Sequence, residues 1–134
     1  MIQLMISRET DYAYRIIRVL SSNNRMSLQQ ICDQEHVPAA YAYKILKKLE
    51  QAQLISIFRG VKGGYELNCD LDRKTFYDVY HAIEGELILN ACQEAGSICP
   101  HQQGGKRCNV HITLGVMQNE FIEIMKSRTL RSII

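Results

Sequence analysis

Apolar positions in the first half of the chain recur every three or four residues in three separate stretches. The first stretch follows Ser7, whose side chain suits a helix N-cap, and predicts a helix over about residues 8–22. The second begins at a capping box headed by Ser27 and is short. The third follows Pro38, which suits a first helical turn, and continues as far as Ala52. Three helices are therefore expected before the spacing of the apolar residues changes.

The pattern then changes from helical spacing to alternation. LISIFR alternates and is rich in β-branched residues, GVKGG contains the glycines of a turn, and YEL resumes an extended pattern, so a β-hairpin is expected. The order helix, short helix, tight turn, helix, hairpin is that of a winged helix-turn-helix. In such a module the last of the three helices can enter a DNA major groove roughly 12 Å wide.

The second half of the chain predicts two more helices with an irregular segment between them. Thr75 can cap the helix FYDVYHAIEG, whose apolar face would pack on the first three helices. From about Leu89 to Arg107 the chain has few strongly apolar residues and contains three glycines, a proline and two cysteines. Such a composition indicates a loop that something other than a hydrophobic core holds in place.

A long helix is expected to begin at Cys108 or Asn109. The positions along one face of this helix are spaced alternately four and three residues apart, as in a helix that two subunits bury against each other. These positions are Val110, Leu114, Met117, Phe121, Ile124 and Arg128. The sequence therefore predicts a mainly α fold with a dimerisation helix. It divides the chain into a DNA-binding domain (residues 1–86), a cysteine loop (residues 87–108) and a dimerisation helix with its tail (residues 109–134), with TLRSII forming one further short helix.

Charge and composition narrow the class of protein. The net charge is only +2, but the stretch from Val37 to Tyr65 contains five lysines and arginines against one glutamate. A local basic face is a better indicator of nucleic-acid binding than whole-chain charge. No apolar run approaches the ~20 residues of a membrane span, and the N-terminal stretch lacks the features of a signal peptide. A cytoplasmic protein with reduced thiols and no membrane partner is expected.

Five cysteines are an odd number for a disulfide framework. Cys92, Cys99 and Cys108 follow a C-x6-C-x8-C pattern, and His111 stands three residues after the last. Zinc sites usually contain tighter C-x2-C pairs, whereas thiolates with wider spacing suit an iron-sulfur cluster. A structural zinc site and free thiols that react with oxidants remain alternatives. A thiol enzyme is disfavoured because no general base accompanies the cysteines.

Taken in order, these motifs resemble the Rrf-two family of bacterial transcription regulators, which includes the IscR-like and NsrR-like iron-sulfur regulators. The resemblance is carried by MISRETDYAYRIIRVL, the helix-turn-helix IC…VPAAYAYKILKKLEQAQLI, the wing RGVKGGYEL, the helix FYDVYHAIEG and the cysteine triad. It covers nearly the whole chain. It implies a homodimer that binds a roughly palindromic operator in double-stranded DNA and is not an enzyme.

The resemblance also implies which residues face DNA. At the start of the third helix these are Ala39, Ala40, Tyr41, Tyr43 and Lys44. On chemical grounds Arg59 and Lys62 in the wing could reach the minor groove and the phosphates, and Lys47 and Lys48 could contribute from deeper in the helix. No Arg or Asn, which could form two hydrogen bonds to a single base, is present at the helix start.

For the cysteine triad, the resemblance implies an iron-sulfur cluster of the 2Fe-2S or 4Fe-4S type, with a fourth ligand that is not a cysteine. In IscR-like relatives a Cys-x2-His ends the motif, which here gives His111. In NsrR-like relatives a carboxylate from the first helix of the other subunit completes the site, which here gives Asp11. A cluster would make the protein a sensor of redox state, nitric oxide or iron-sulfur status. The alternative is a regulator that responds to a partner protein.

Overall fold

A computed structural model describes all 134 residues. Five α-helices and a two-stranded antiparallel sheet make up the regular structure: α1 (Arg8–Ser21), α2 (Leu28–Glu35), α3 (Ala39–Gln51), β1 (Ile55–Phe58), β2 (Gly64–Leu67), α4 (Phe76–Glu84) and α5 (Asn109–Ser127). Three short 3₁₀ helices occupy Ala91–Gln93, Pro100–Gly105 and Leu130–Ile133. The predicted fold, a mainly helical winged helix-turn-helix with a hairpin wing and a long C-terminal helix, is confirmed.

The predicted caps account for where the helices begin. Ser7 Oγ accepts a hydrogen bond from the backbone N–H of Thr10, and Ser27 forms the expected capping box at α2. Thr75 caps α4 and makes a second capping box with Asp78, which the sequence pattern did not predict. Pro38 precedes α3 as its N-cap residue, one position earlier than the first helical turn expected for it.

The main core lies where α1, α3 and α4 meet. Ile16 and Ile17 of α1, Leu46 and Leu49 of α3, and Val79 of α4 are all fully buried there. Burial of each such side chain contributes roughly 1.5–3 kcal/mol, so this cluster dominates the stability of the domain. The core fixes α3 by its buried face, and the opposite face remains available to a partner.

The wing is held against the body of the domain by Arg25, in the turn between α1 and α2. Its guanidinium carbon lies 3.5 Å from the centroid of the Phe58 ring, and Nη1 donates to the Lys62 carbonyl at 3.0 Å. Nε pairs with Glu66 at 3.1 Å. Gly64 is required where β2 begins, because a Cβ there would lie 2.6 Å from the backbone oxygen of Met26. These contacts fix the wing relative to α3.

Helix α5 is anchored mainly at its C-terminal end. Met125 is its only buried residue and packs with Tyr80 and Leu87. After α5 the chain returns to the main core, where Leu130 is completely buried. A bridge between Thr75 and Thr129 ties this tail to the start of α4. The predicted short helix at the C-terminus is the 3₁₀ helix that contains Leu130.

A polar contact joins the beginning of α1 to the end of α4. Thr10 is fully buried, and its hydroxyl donates to Glu84 Oε1 at 2.7 Å, while the backbone N–H of Ser7 donates to the same oxygen at 3.1 Å. Burial by itself would raise the pKa of Glu84, but the hydrogen bonds from Ser7 and Thr10 outweigh it, and the pKa is lowered from its ordinary value.

We expect Thr10→Val to lower the free energy of unfolding by about 1–2 kcal/mol at pH 7, because it removes a hydrogen bond to a charged group. A lowered carboxyl pKa stabilises the fold above the unfolded value, so the difference between variant and wild type should shrink as the pH falls below about 4.5. Urea unfolding across pH measures this effect. Thr113→Val, at an exposed position of α5, is the control and should change little.

Candidate nucleic-acid interface and cysteine site

The residues predicted to face DNA lie together on the exposed side of α3. Ala39, Ala40, Tyr41, Tyr43 and Lys44 are all exposed. The apolar positions of the helix between and after them are turned into the core. The start of α3 therefore presents two large aromatic side chains, two methyl groups and one ammonium to a partner.

Tyr41 is supported from behind by α1. Its ring meets the ring of Tyr12 edge to face with the centroids 5.5 Å apart, and the Arg8 guanidinium carbon lies 5.9 Å from the centroid of the Tyr12 ring. Such aromatic pairs are worth about 0.5–1.5 kcal/mol beyond the area that they bury. The contact with Tyr12 restricts where the Tyr41 side chain can point.

Four of the five basic residues predicted to contact DNA form no ion pair within the protein. Lys44, Lys47, Arg59 and Lys62 are exposed, and none of them takes part in any of the six ion pairs of the structure. Lys48 differs, because its Nζ donates to Glu9 at 3.1 Å and to the Ile83 carbonyl at 3.2 Å. Its ammonium ties α3 to α1 and α4, so the structure gives Lys48 a role inside the domain.

In the cysteine loop, the structure brings two of the predicted metal ligands together. Cys92 lies in the first 3₁₀ helix and His111 in the first turn of α5, and the distance from Cys92 Sγ to His111 Nδ1 is 3.4 Å. The two residues are 19 positions apart in the chain, so this contact links the cysteine loop to α5.

The remaining predicted ligands do not join this pair. Cys99 precedes the second 3₁₀ helix, and Cys108 occupies the N-cap position of α5 with extended backbone. Asp11 lies on α1 and pairs with Arg15 at 3.3 Å. No three histidine, cysteine or carboxylate side chains are close enough together to hold a metal ion. All five cysteines are free thiols and are partly buried.

The donors that do meet are suited to a soft metal centre. Zinc binds sulfur at about 2.3 Å and imidazole nitrogen at about 2.0 Å, so tetrahedral angles would place the two donor atoms roughly 3.5 Å apart. The observed 3.4 Å is a hydrogen-bond distance between the imidazole and the thiol, and it is close enough for both atoms to ligate one metal ion. A thiolate and an imidazole are both acceptable ligands of zinc and of iron-sulfur iron. The pair therefore supplies two of the four donors that either of the suggested metal sites would use.

Comparison with known proteins decides the family. The model of the Rrf2 family, described as an iron-dependent transcriptional regulator, matches residues 6–134. The chain belongs to the Rrf2 family. This is the family that the sequence motifs resemble, and its members are transcription regulators, so the expectation that the chain is not an enzyme is confirmed.

Individual members of the family share the same architecture. The transcriptional regulator IscR of Vibrio campbellii is 26% identical over 110 residues, which cover 82% of this chain and 63% of IscR. The solved structure of T. potens IscR has a TM-score of 0.72 at 18% identity, and the match covers 97% of this chain and 84% of that protein. CymR, the global cysteine regulator of B. subtilis, has a TM-score of 0.68 at 19% identity and 98% and 95% coverage.

Two residues of this Rrf2 regulator that reasoning from the sequence missed lie beside Cys92. Asn90 Nδ2 donates to Cys92 Sγ at 3.0 Å, and Gln93 Nε2 donates to the His111 carbonyl at 2.8 Å. The sequence contained one signal for them. Gly115 interrupts a helical pattern, and an isolated glycine inside a helix often marks a close approach.

None of the helices combines the length and the hydropathy that crossing a lipid bilayer requires.

Proposed function

We propose that this Rrf2 regulator acts in the cytoplasm as a homodimer on a roughly palindromic operator in double-stranded DNA, and that each subunit holds an iron-sulfur cluster in its cysteine loop. The contact between Cys92 and His111 is the observation that carries the sensing part of this proposal. It links the segment that would hold the cluster to the helix that would hold the dimer together.

DNA would be bound by α3 and the wing together. The methyl groups of Ala39 and Ala40 and the ring of Tyr41 can meet thymine methyl groups, and Lys44 can reach guanine or a phosphate. The unpaired charges of Arg59 and Lys62 suit a minor groove and its flanking phosphates. The position of the wing, braced by Arg25, supports simultaneous contact of both elements with one duplex.

Dimerisation through α5 is supported by the apolar surface that the helix leaves exposed. Its 19 residues extend about 28 Å, and Val110, Val116, Met117 and Ile124 are each at least half exposed. Phe121 is turned partly into its own subunit, toward Tyr80 and Leu87, so it interrupts the predicted seam, and Val116 is exposed beside the seam. A second copy of the same helix is the partner that would cover it, since isologous contacts are the commonest in homodimers.

Cys92, Cys99, Cys108 and His111 would hold the cluster, and the 3.4 Å between Cys92 Sγ and His111 Nδ1 brings two of these donors together. Three thiolates and one imidazole are donors that 2Fe-2S and 4Fe-4S clusters both accept. Asp11, which pairs with Arg15 in its own subunit, is the alternative fourth ligand and would come from the other subunit. A cluster with one imidazole ligand would supply a redox-active iron that is easier to displace.

Ligation would act on DNA affinity through α5. Joining Cys92 to His111 fixes the first turn of α5 to the cysteine loop, while Met125 and Leu130 already fix the other end to the DNA-binding domain. The orientation of α5 in two subunits sets the distance between their α3 helices. That distance must match about one turn of DNA, roughly 34–36 Å, for both helices to enter the major groove.

For the DNA interface, we expect Lys44→Ala to weaken operator binding and to reduce the slope of log K against log salt by about 1 per subunit, because one phosphate contact is lost. Lys126→Ala, an exposed lysine near the end of α5, should leave the slope unchanged. Fluorescence anisotropy at several salt concentrations measures both. An unchanged slope in Lys44→Ala would remove this residue from the interface.

For the cluster, we expect protein purified without oxygen to contain iron and acid-labile sulfide in equal amounts and to absorb visible light. Replacing Cys92, Cys99 and Cys108 together by alanine should abolish both, whereas Cys32→Ala is the control and should not. His111→Ala should lose or alter the cluster, and Asp11→Ala should not.

Other results would select the alternatives. Colourless protein with stoichiometric zinc would identify a structural zinc site. Metal-free protein whose DNA binding still responds to its signal after loss of the three cysteines would indicate a regulator controlled by a partner protein.

A further inference from the structure

The two side-chain amides next to the proposed ligands are not explained by the fold. Asn90 precedes the 3₁₀ helix that contains Cys92, and Gln93 is the last residue of that helix. Both amides point at the ligand pair. Asn90 Nδ2 lies 3.0 Å from Cys92 Sγ, and Gln93 Nε2 lies 3.7 Å from the same sulfur.

Asn90 is held by its contact with the sulfur. Its Oδ1 is the one buried side-chain polar atom of the protein without a hydrogen-bond partner. Buried acceptors left unpaired are costly and are uncommon in folded proteins. The amide therefore gains nothing at its oxygen end, and the bond from Nδ2 to Cys92 Sγ is what fixes its position.

Gln93 connects the two proposed ligands. Its Nε2 donates to the His111 carbonyl at 2.8 Å and lies 3.4 Å from His111 Nδ1. One N–H therefore fixes the backbone of α5 at His111, and the second is directed at the space between the imidazole and the sulfur. Together with the direct contact between Cys92 and His111, this amide sets how the cysteine loop approaches the first turn of α5.

Gly115 makes room for that amide. It lies one turn after His111, and a Cβ at this position would come within 2.9 Å of Gln93 Oε1. Glycine in the interior of a helix is unfavourable relative to alanine. Its presence here has a local reason, because any larger residue would push the Gln93 amide away from His111.

We propose that Asn90 and Gln93 are positioning residues that donate hydrogen bonds to the sulfur of Cys92 and orient His111, and that Gly115 keeps the Gln93 amide in place. This inference rests on the proposed iron-sulfur function. Hydrogen bonds to a ligating sulfur stabilise its negative charge, and they raise the reduction potential of the metal that it binds. The two amides would thus set how easily the site is reduced and how firmly it retains iron.

The test compares Asn90→Ala, Gln93→Ala and Gly115→Ala with the wild-type protein, each purified without oxygen. Each variant should bind a cluster with a lower midpoint potential and should lose iron to a chelator about 10–100-fold faster, the range typical of changes around metal ligands. Gln102→Ala, a glutamine of the same loop with no side-chain hydrogen bond, is the matched control and should behave as the wild type.

A double variant isolates the role of Gly115. If Gly115 acts only through the Gln93 amide, adding Gly115→Ala to Gln93→Ala should have no further effect on potential or iron loss. Additive effects would show that Gly115 acts independently and would overturn that part of the inference. Asn90→Gln, which keeps a carboxamide at a longer reach, should recover part of the potential lost in Asn90→Ala.

The outcomes separate this inference from the function on which it rests. If the wild-type protein binds a cluster and the three alanine variants match it in potential and in iron loss, the positioning role is wrong and the proposed function stands. If the wild-type protein itself contains no iron, both are wrong. Thermal unfolding of each cluster-free variant, expected to stay close to that of the wild type, shows that any change in iron retention is not caused by misfolding.

Discussion

Helix α5 is joined to the cysteine loop by a small set of hydrogen bonds around His111 and by one from the Leu89 backbone N–H to Gln118 Oε1 at 2.7 Å. Its far end is secured by Met125 and Leu130, whose burial is worth roughly 1.5–3 kcal/mol each. Its near end is joined to the loop by Gln93, His111 and Cys92, through bonds worth only about 0.5–1.5 kcal/mol apiece. Because the contacts at the near end of α5 are weaker than those at the far end, the near end is the one that a bound ligand can move. A metal bond at the near end would add a covalent constraint between the cysteine loop and α5 to these hydrogen bonds.

The DNA-binding domain is the rigid partner in this arrangement. Its core joins α1, α3 and α4, and Lys48 and Glu84 add polar contacts between the same helices. A change in the cysteine loop therefore has no reason to alter α3 itself. In the proposed dimer it would act by moving one DNA-binding domain relative to the other, a rigid-body change to which the spacing of the operator half-sites is sensitive.

The sequence predicted the parts of the fold that local physics controls. Ser7, Ser27 and Thr75 start helices because their side chains accept backbone hydrogen bonds, and the periodic apolar positions of α3 identified its buried face. The candidate site was predicted less completely. Gln93 bonds to His111, which lies 18 residues later in the chain, and Asn90 bonds to a sulfur atom. The spacing of apolar residues along the chain indicates neither contact. Lys48 looked like its neighbours in sequence, and only the packing of α3 revealed its bond to Glu9.

The most direct test of the account is hydrogen exchange along α5, measured in cluster-free and in reconstituted protein. Amides of the helix between Ile112 and Gly115 should exchange markedly more slowly once the cluster is present, because the cysteine loop then holds that end of the helix. Amides near Met125 should be equally protected in both states, since the core already fixes them. Equal protection at Ile112 to Gly115 with and without the cluster would contradict the claim that the loop controls this end of α5.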